Sequence, residues 1–245
     1  MPLPASIAPA SLDGYRIAVF VEHKYIPEEI TSYQHMFQAR GATVELYSRL
    51  WYSNWNPDSP NWKEPQFFFS DVDPSENPQW EQPQRLAVPS KHDVSTIKPS
   101  DFAAVIMAAN YPSVRLRWSD IKTRNARELV QSAPVPRFFA DAMNDPGVVV
   151  GALCHGLWVL TPFPELLAGR NVTCHTVVMA DILNCGSEIP FEINGIDDEL
   201  QPLLVCTDNR LVTGYSKKEV IPFIEAIEAA ILKVASTDTS KEDME

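Results

Sequence analysis

The residues with the clearest chemical reach are Cys154 and His155, at the junction Val148-Val-Val-Gly-Ala-Leu-Cys-His-Gly156. The apolar run before Cys154 predicts a buried strand that feeds straight into a helix, with small residues at Ala152 and Gly156. This is the small-x-nucleophile-x-Gly pattern of a nucleophile elbow, a sharp turn that lifts a reactive side chain above a sheet. Free backbone N–H groups and the positive end of a helix dipole at such a turn stabilise both a thiolate and a developing oxyanion. His155, with a reference pKa of about 6.5, suits proton exchange at neutral pH. The competing reading is a structural cysteine beside a histidine that merely caps the elbow helix, since free cysteines are among the most buried residues.

The elements that must hold this junction are readable around it. Arg16–Val21 (RIAVFV) is an apolar run of buried-strand type. Pro27 suits the first turn of a following helix, Glu28 and Glu29 suit its positive end, and Ile30, Tyr33 and Phe37 recur at helical spacing before Gly41. Thr43–Ser48 completes a βαβ unit. Phe102–Met107, a helical region at about 120–131 and Val148–Leu153 continue an alternation that predicts α/β architecture, a mostly parallel sheet between helices. Near the end, a hairpin turns at Asp208-Asn209. Ser216-x-x-Glu219 is a capping box for a helix with Val220, Phe223, Ile227, Ile231 and Val234 on one stripe.

Between Leu50 and Pro99 the composition changes, holding eight of the 21 prolines and four of the six tryptophans (Trp51, Trp55, Trp62, Trp80). Long Pro-broken stretches of this kind in compact enzymes are insertions packed over a sheet edge or a site. The tryptophans are expected to anchor this insertion to the body, the alternative being that some line a substrate pocket. The reading is thus one domain over 1–245, with an irregular insertion at about 50–100 and a disordered acidic tail at about 237–245.

The 245 residues carry a formal net charge of −12, a balance that repels phosphate backbones and anionic lipid, so neither nucleic acid nor a membrane is expected as a partner. The first residues lack a basic, then apolar, leader, which predicts a cytoplasmic protein. Gly147–Pro164 has no charged residue, but Cys154-His155-Gly156 and the prolines at 162 and 164 break it, excluding a membrane span. Cys154, Cys174, Cys185 and Cys206 form no C-x-x-C pair, so free thiols are expected and a zinc site is not.

With these residues in place, the chain resembles the ThiJ/PfpI superfamily, whose members share a glutamine-amidotransferase-like, flavodoxin-type α/β sandwich. Ala152-Leu153-Cys154-His155-Gly156 matches the A-x-C-H-G elbow of PfpI-like members at each fixed position. Glu29 stands twelve residues before Gly41, like the family's first-helix glutamate. Ala168-Gly-Arg-Asn-Val-Thr-Cys-His175 is similar to the family's L-x-G-[RK]-x-V-T strand, and His175 falls where some branches have histidine. The insertion and Arg115-Leu116-Arg117-Trp118 mark a subgroup.

The resemblance implies a nucleophile, Cys154, beside a protonated Glu29, with Glu29 or His155 moving protons. A carboxyl held against a thiolate must be neutral, so the pair titrates jointly. The family's Gly-Gly after the third strand is here Ala108-Ala109-Asn110, which leaves the oxyanion to Ala109 or Asn110 together with the His155 N–H. His175 and His23 are candidate pocket residues, and Arg115 a candidate carboxylate clamp or a plain salt-bridge former. His35 and His92 carry no functional argument. The implied function is a cofactor-independent, cysteine-dependent enzyme of the lyase or hydratase type on a small electrophilic metabolite, working as a homodimer. The alternatives are a hydrolase of amide-like or glycated groups, a redox sensor or stress-protective protein built on Cys154, and a binding protein that has lost the oxyanion loop.

Overall fold

Arg16–Phe20 (β1) places Ile17 through Phe20 at zero exposure, and it pairs in parallel with both Thr43–Tyr47 (β2) and Ala104–Met107 (β5). The computed structural model describes residues 12–50, 65–71, 84–193 and 199–242. Beyond β5 the sheet continues in parallel through Val149–Leu153 (β6) to Leu211–Gly214 (β10), and Val205–Asp208 (β9) closes it antiparallel, in the order β2-β1-β5-β6-β10-β9. β5, β6 and β10 are buried along their whole length, as a parallel sheet covered on both faces requires.

Each face has its own core. Pro27–Ala39 (α1) and Val220–Glu242 (α6) cover one side, packing Ile30, Tyr33 and Phe37 with Phe223, Ile227 and Ile231. Pro134–Asn144 (α4) and Thr176–Asn184 (α5) cover the other through Val135, Phe138, Phe139, Val178 and Ile182. This is the three-layer, flavodoxin-like α/β sandwich that the alternation of elements predicts. Among the described residues no helix is long and apolar enough to cross a membrane.

Several local expectations need correction. The helical region at about 120–131 is only Ala126–Gln131 (α3), preceded by the short Pro112–Leu116 (α2), while α4 went unread because Pro134 and Pro136 look like breakers. Both prolines sit in the first turn, where a missing N–H costs nothing. The elbow is followed by 3-10 turns over Cys154–Leu160 rather than an α-helix. Pro162 and Pro164 lie too close for more, since the residue before a proline is pushed out of helical conformation. The expected strand around Asn171–His175 is a single bridge, Asn171 to Glu188, because Asp208 and the Thr213 hydroxyl accept the N–H groups of Asn171 and Thr173.

The insertion contributes an antiparallel hairpin, Gln66–Phe69 (β3) with Arg85–Val88 (β4), and Phe68 enters the core. Trp51, Trp55, Trp62 and Trp80 lie outside the described residues. A second hairpin, Phe191–Ile193 (β7) with Leu200–Pro202 (β8), had no sequence signal strong enough to place it. The hairpin at Asp208-Asn209 turns with Asn209 at φ +58°, and the Ser216–Glu219 capping box forms as expected. α6 runs on to Glu242, into residues expected to be a disordered tail. Once a helix is nucleated each further residue adds a hydrogen bond, and Ser236 and Thr237 also bond back to Lys233 O.

Candidate active site

The strand β6 delivers Cys154 to the carboxyl edge of the sheet with φ +60°, a left-handed conformation that a side-chain-bearing residue adopts only where its surroundings enforce it. Gly156 lets the turn press against β5: a Cβ there would stand 2.7 Å from the Met107 carbonyl oxygen. The backbone therefore builds the elbow that the spacing of small residues suggests. Cys154 is 6% exposed, and its Sγ lies 3.1 Å from His155 Nδ1. The backbone N–H groups of His155 and Asn110 both donate to the sulfur.

These donors favour the thiolate, and burial opposes it more strongly, pushing the thiol up to about 11. His155 is held below its ordinary value by burial and by His175, so its imidazole is neutral at pH 7. A neutral imidazole beside a protonated thiol accepts the S–H at Nδ1. The ring stacks on His175 at 5.0 Å and on Tyr111 at 5.6 Å. Among the described residues no carboxylate bonds the His155 ring, so a Cys-His-acid triad is not formed there.

Glu29, 1% exposed on the first turn of α1, is near enough for its charge to act on the Cys154 thiol. The Tyr33 hydroxyl donates to its Oε1 at 2.8 Å, and the Ala109 N–H donates to Oε1 at 2.9 Å and Oε2 at 3.1 Å. Burial raises Glu29 to about 7 despite these bonds, with the charge of Asp71 adding to the rise. Tyr33 was read only as a core residue. Its signal was present all the same: positions 29 and 33 are one helical turn apart and so face each other.

The departure at Ala108-Ala109-Asn110 resolves in the backbone. The left-handed residue is Asn110, φ +67°, and asparagine tolerates that region better than alanine. Ala109 is accordingly corrected: its N–H is turned to Glu29, and the donor facing the sulfur is that of Asn110.

A pocket of about 300 Å³ opens over Cys154, lined by Ile26, Asp71, Asn110, His155, His175 and Lys217 among others. His175 is the N-cap of α5, its Nδ1 accepting from the Val177 N–H at 3.3 Å, and so reaches the pocket from a helix end rather than a strand. Asp71, Lys217 and Tyr111 went unnoticed in the sequence, where no motif marks them.

Two expected pocket residues stand elsewhere. Arg115 is ion-paired with Glu22, which has zero exposure, and Arg115 does not line the pocket. Burial raises Glu22 while Arg115 pulls it down. Arg115→Met strands that carboxylate, and the expected loss is about 2 kcal/mol at pH 8. Adding Glu22→Gln should recover most of it in urea unfolding, and a loss indifferent to residue 22 would contradict the pairing. His23 is also corrected: its Nδ1 accepts from the Phe69 N–H at 3.0 Å and its ring stacks on Phe69, so it ties down the insertion hairpin. Cys174 is buried and pushed up to about 12, an inert thiol. No group of metal-binding residues occurs among the described residues.

A doubly covered parallel sheet with a cysteine at a left-handed elbow defines an α/β protein of the nucleophile-elbow class. Residues 123–230 match the model of the DJ-1/PfpI family, a segment that holds Cys154, His155, Gly156 and His175 but neither Glu29 nor Asp71. The likeness to that family rests on this segment, which is less than half of the chain. Solved structures share the fold. A ThiJ/PfpI domain protein from Brachyspira murdochii is 12% identical with a TM-score of 0.62, over 89% of this chain and 96% of that one. A two-domain protein from Anabaena variabilis, with DJ-1/ThiJ/PfpI-like and ferritin-like domains, is 19% identical with a TM-score of 0.60, over 88% of this chain and 47% of that one. The chain thus spans about half of that protein's length. DJ-1beta of Drosophila melanogaster is 12% identical with a TM-score of 0.58, over 91% and 96%. No curated protein matches the chain.

Proposed function

We propose that the protein is a cofactor-independent enzyme of the A-x-C-H-G branch, using Cys154 to attack the electrophilic carbon of a small metabolite in a lyase or hydratase reaction. The observation that carries the reading is the 3.1 Å contact between Cys154 Sγ and His155 Nδ1 at the floor of an open pocket. A thiol that served only packing would have no use for a neutral imidazole at that position.

On a carbonyl substrate the steps balance as follows. The thiol proton passes to His155 Nδ1 while Sγ bonds to the carbonyl carbon, and the π pair moves to oxygen, flanked by the Asn110 and His155 N–H groups. The imidazolium returns the proton to that oxygen, leaving a neutral hemithioacetal. Where a second carbonyl adjoins, His155 or Glu29 moves the proton from the hemithioacetal carbon to the neighbouring carbonyl carbon while the hydroxyl proton passes to the neighbouring oxygen, giving a 2-hydroxy thioester that water hydrolyses, restoring the thiol. The pocket volume suits a small metabolite.

The test is a panel of 2-oxoaldehydes, isocyanides and amides offered to the protein and to Cys154→Ala. Turnover of an aldehyde or isocyanide that vanishes in the variant is the expected result. Turnover of amides alone would move the protein to the hydrolases, and activity that survives Cys154→Ala would contradict the reading.

A redox sensor is the second reading, favoured by the protonatable Glu29 beside the sulfur. Toxoplasma gondii DJ-1, 16% identical with a TM-score of 0.54, was solved oxidized. Selective addition of two oxygens to Cys154 by peroxide, without turnover of the panel, would favour it.

A further inference from the structure

The chemistry above leaves several ionisable pocket residues unused, and Asp71 is one of them. Asp71 stands two residues after β3 of the insertion, and the end of that strand is fastened to the loop after β1. The Lys24 N–H donates to Phe69 O at 2.8 Å, and the Asp71 N–H donates to Tyr25 O at 2.9 Å. The half-buried Asp71 carboxylate is thereby held in the pocket wall with Cys154 and Asn110. Asn110 Nδ2 donates to Asp71 Oδ2 at 3.3 Å.

Asn110 occupies an exacting place. Its own N–H serves the sulfur, and the N–H one residue earlier serves Glu29. Two successive amides thus serve two different site groups, and the chain turns sharply at the second, the left-handed Asn110. No glycine is present in Ala108-Ala109-Asn110 to make that conformation inexpensive. Asparagine tolerates that conformation without enforcing it, and Asp71 is the side chain that grips Asn110 from across the pocket.

We propose that Asp71 is a positioning residue of the nucleophile site: its carboxylate holds the Asn110 side chain, and through it the left-handed backbone whose N–H is aimed at the Cys154 sulfur. The insertion is then more than a cover, since its hairpin sets the geometry of the thiol's hydrogen-bond donors. The inference deepens the proposed function and rests on Cys154 being its nucleophile.

The test is a double-mutant cycle read as the iodoacetamide alkylation rate of Cys154 at pH 8, followed by mass spectrometry. Asp71→Ala should slow alkylation about tenfold, the rate equivalent of one charge-assisted hydrogen bond. Asp71→Asn, whose amide oxygen still accepts from Asn110, should recover most of the rate. In an Asn110→Gly background, where the side-chain link is absent and glycine adopts the left-handed conformation freely, Asp71→Ala should add no further slowing. Removing the Asp71 charge acts alike in both backgrounds, so the difference between them isolates positioning. Equal slowing in both backgrounds, or none in the first, overturns the proposal. If the wild-type thiol fails to alkylate at all, the nucleophile reading falls and this proposal with it; if it alkylates and only the coupling is absent, this proposal alone falls.

Discussion

Glu29→Gln is expected to make the protein more stable above pH 7 and less active. Glu29 is fully buried, and its folded value of about 7 lies above the ordinary carboxylate range. Between that range and pH 7 the folded state therefore binds more protons than the unfolded state. Stability falls as pH rises through this window and then stays level. A rise of this size corresponds to about 3 kcal/mol of cost at pH 8 that is absent at pH 4. Glutamine abolishes the titration and keeps the main contacts, because Tyr33 and Ala109 both donate to the single oxygen Oε1, which an amide oxygen replaces. Urea unfolding should show a gain for the variant at pH 8 and near equality at pH 4. A loss of stability at both pH values would contradict the account of this carboxyl. Under the proposed function the proton of this costly group is used, so stability and activity oppose each other here as they do at functional sites.

His155→Ala is expected to lower kcat/KM by about 10²–10⁴, the usual contribution of a positioned proton acceptor. The loss should fall mainly on kcat, since the imidazole acts as the S–C bond forms. His155 must be neutral to accept the proton, and burial with His175 holds it below its ordinary value. Wild-type activity should therefore persist as pH falls to 6.5 and decline only below that. Steady-state kinetics on whichever substrate the panel identifies would check both points. A variant that raised KM and left kcat intact would make His155 a binding residue instead.

The parts of the fold legible in the sequence were those encoded locally. β1, α1 and β2 carry their own periodicity and end signals, the Asp208-Asn209 hairpin has its turn residue, and the elbow has small residues on either side of Cys154. The resemblance likewise brought Glu29, Cys154 and His155 to one place. What stayed hidden depends on contacts distant in sequence. Nothing near Ala109 tells that its N–H turns to a carboxylate eighty residues earlier. Arg115 could be read as a salt-bridge former, but its partner Glu22 could not be named because it belongs to another strand end. Asp71 sits in a Pro-rich stretch with no periodicity, and only the pairing of its hairpin with the loop after β1 carries it to the pocket. Pro134 misled because a proline breaks a helix or begins one according to position.

The central claim is that Cys154 gives up its proton inside the site rather than to solvent. Burial sets release to water at about 11, whereas transfer across 3.1 Å to His155 Nδ1 keeps both charges in one pair. The most direct measurement is the pH dependence of Cys154 alkylation by iodoacetamide, read by mass spectrometry for the wild type and His155→Ala. The account predicts a wild-type midpoint below the free-thiol value of about 8.5, moving up toward the value set by burial once the imidazole is gone. A wild-type thiol that reacts only at or above its free value, with the same profile in His155→Ala, would contradict it.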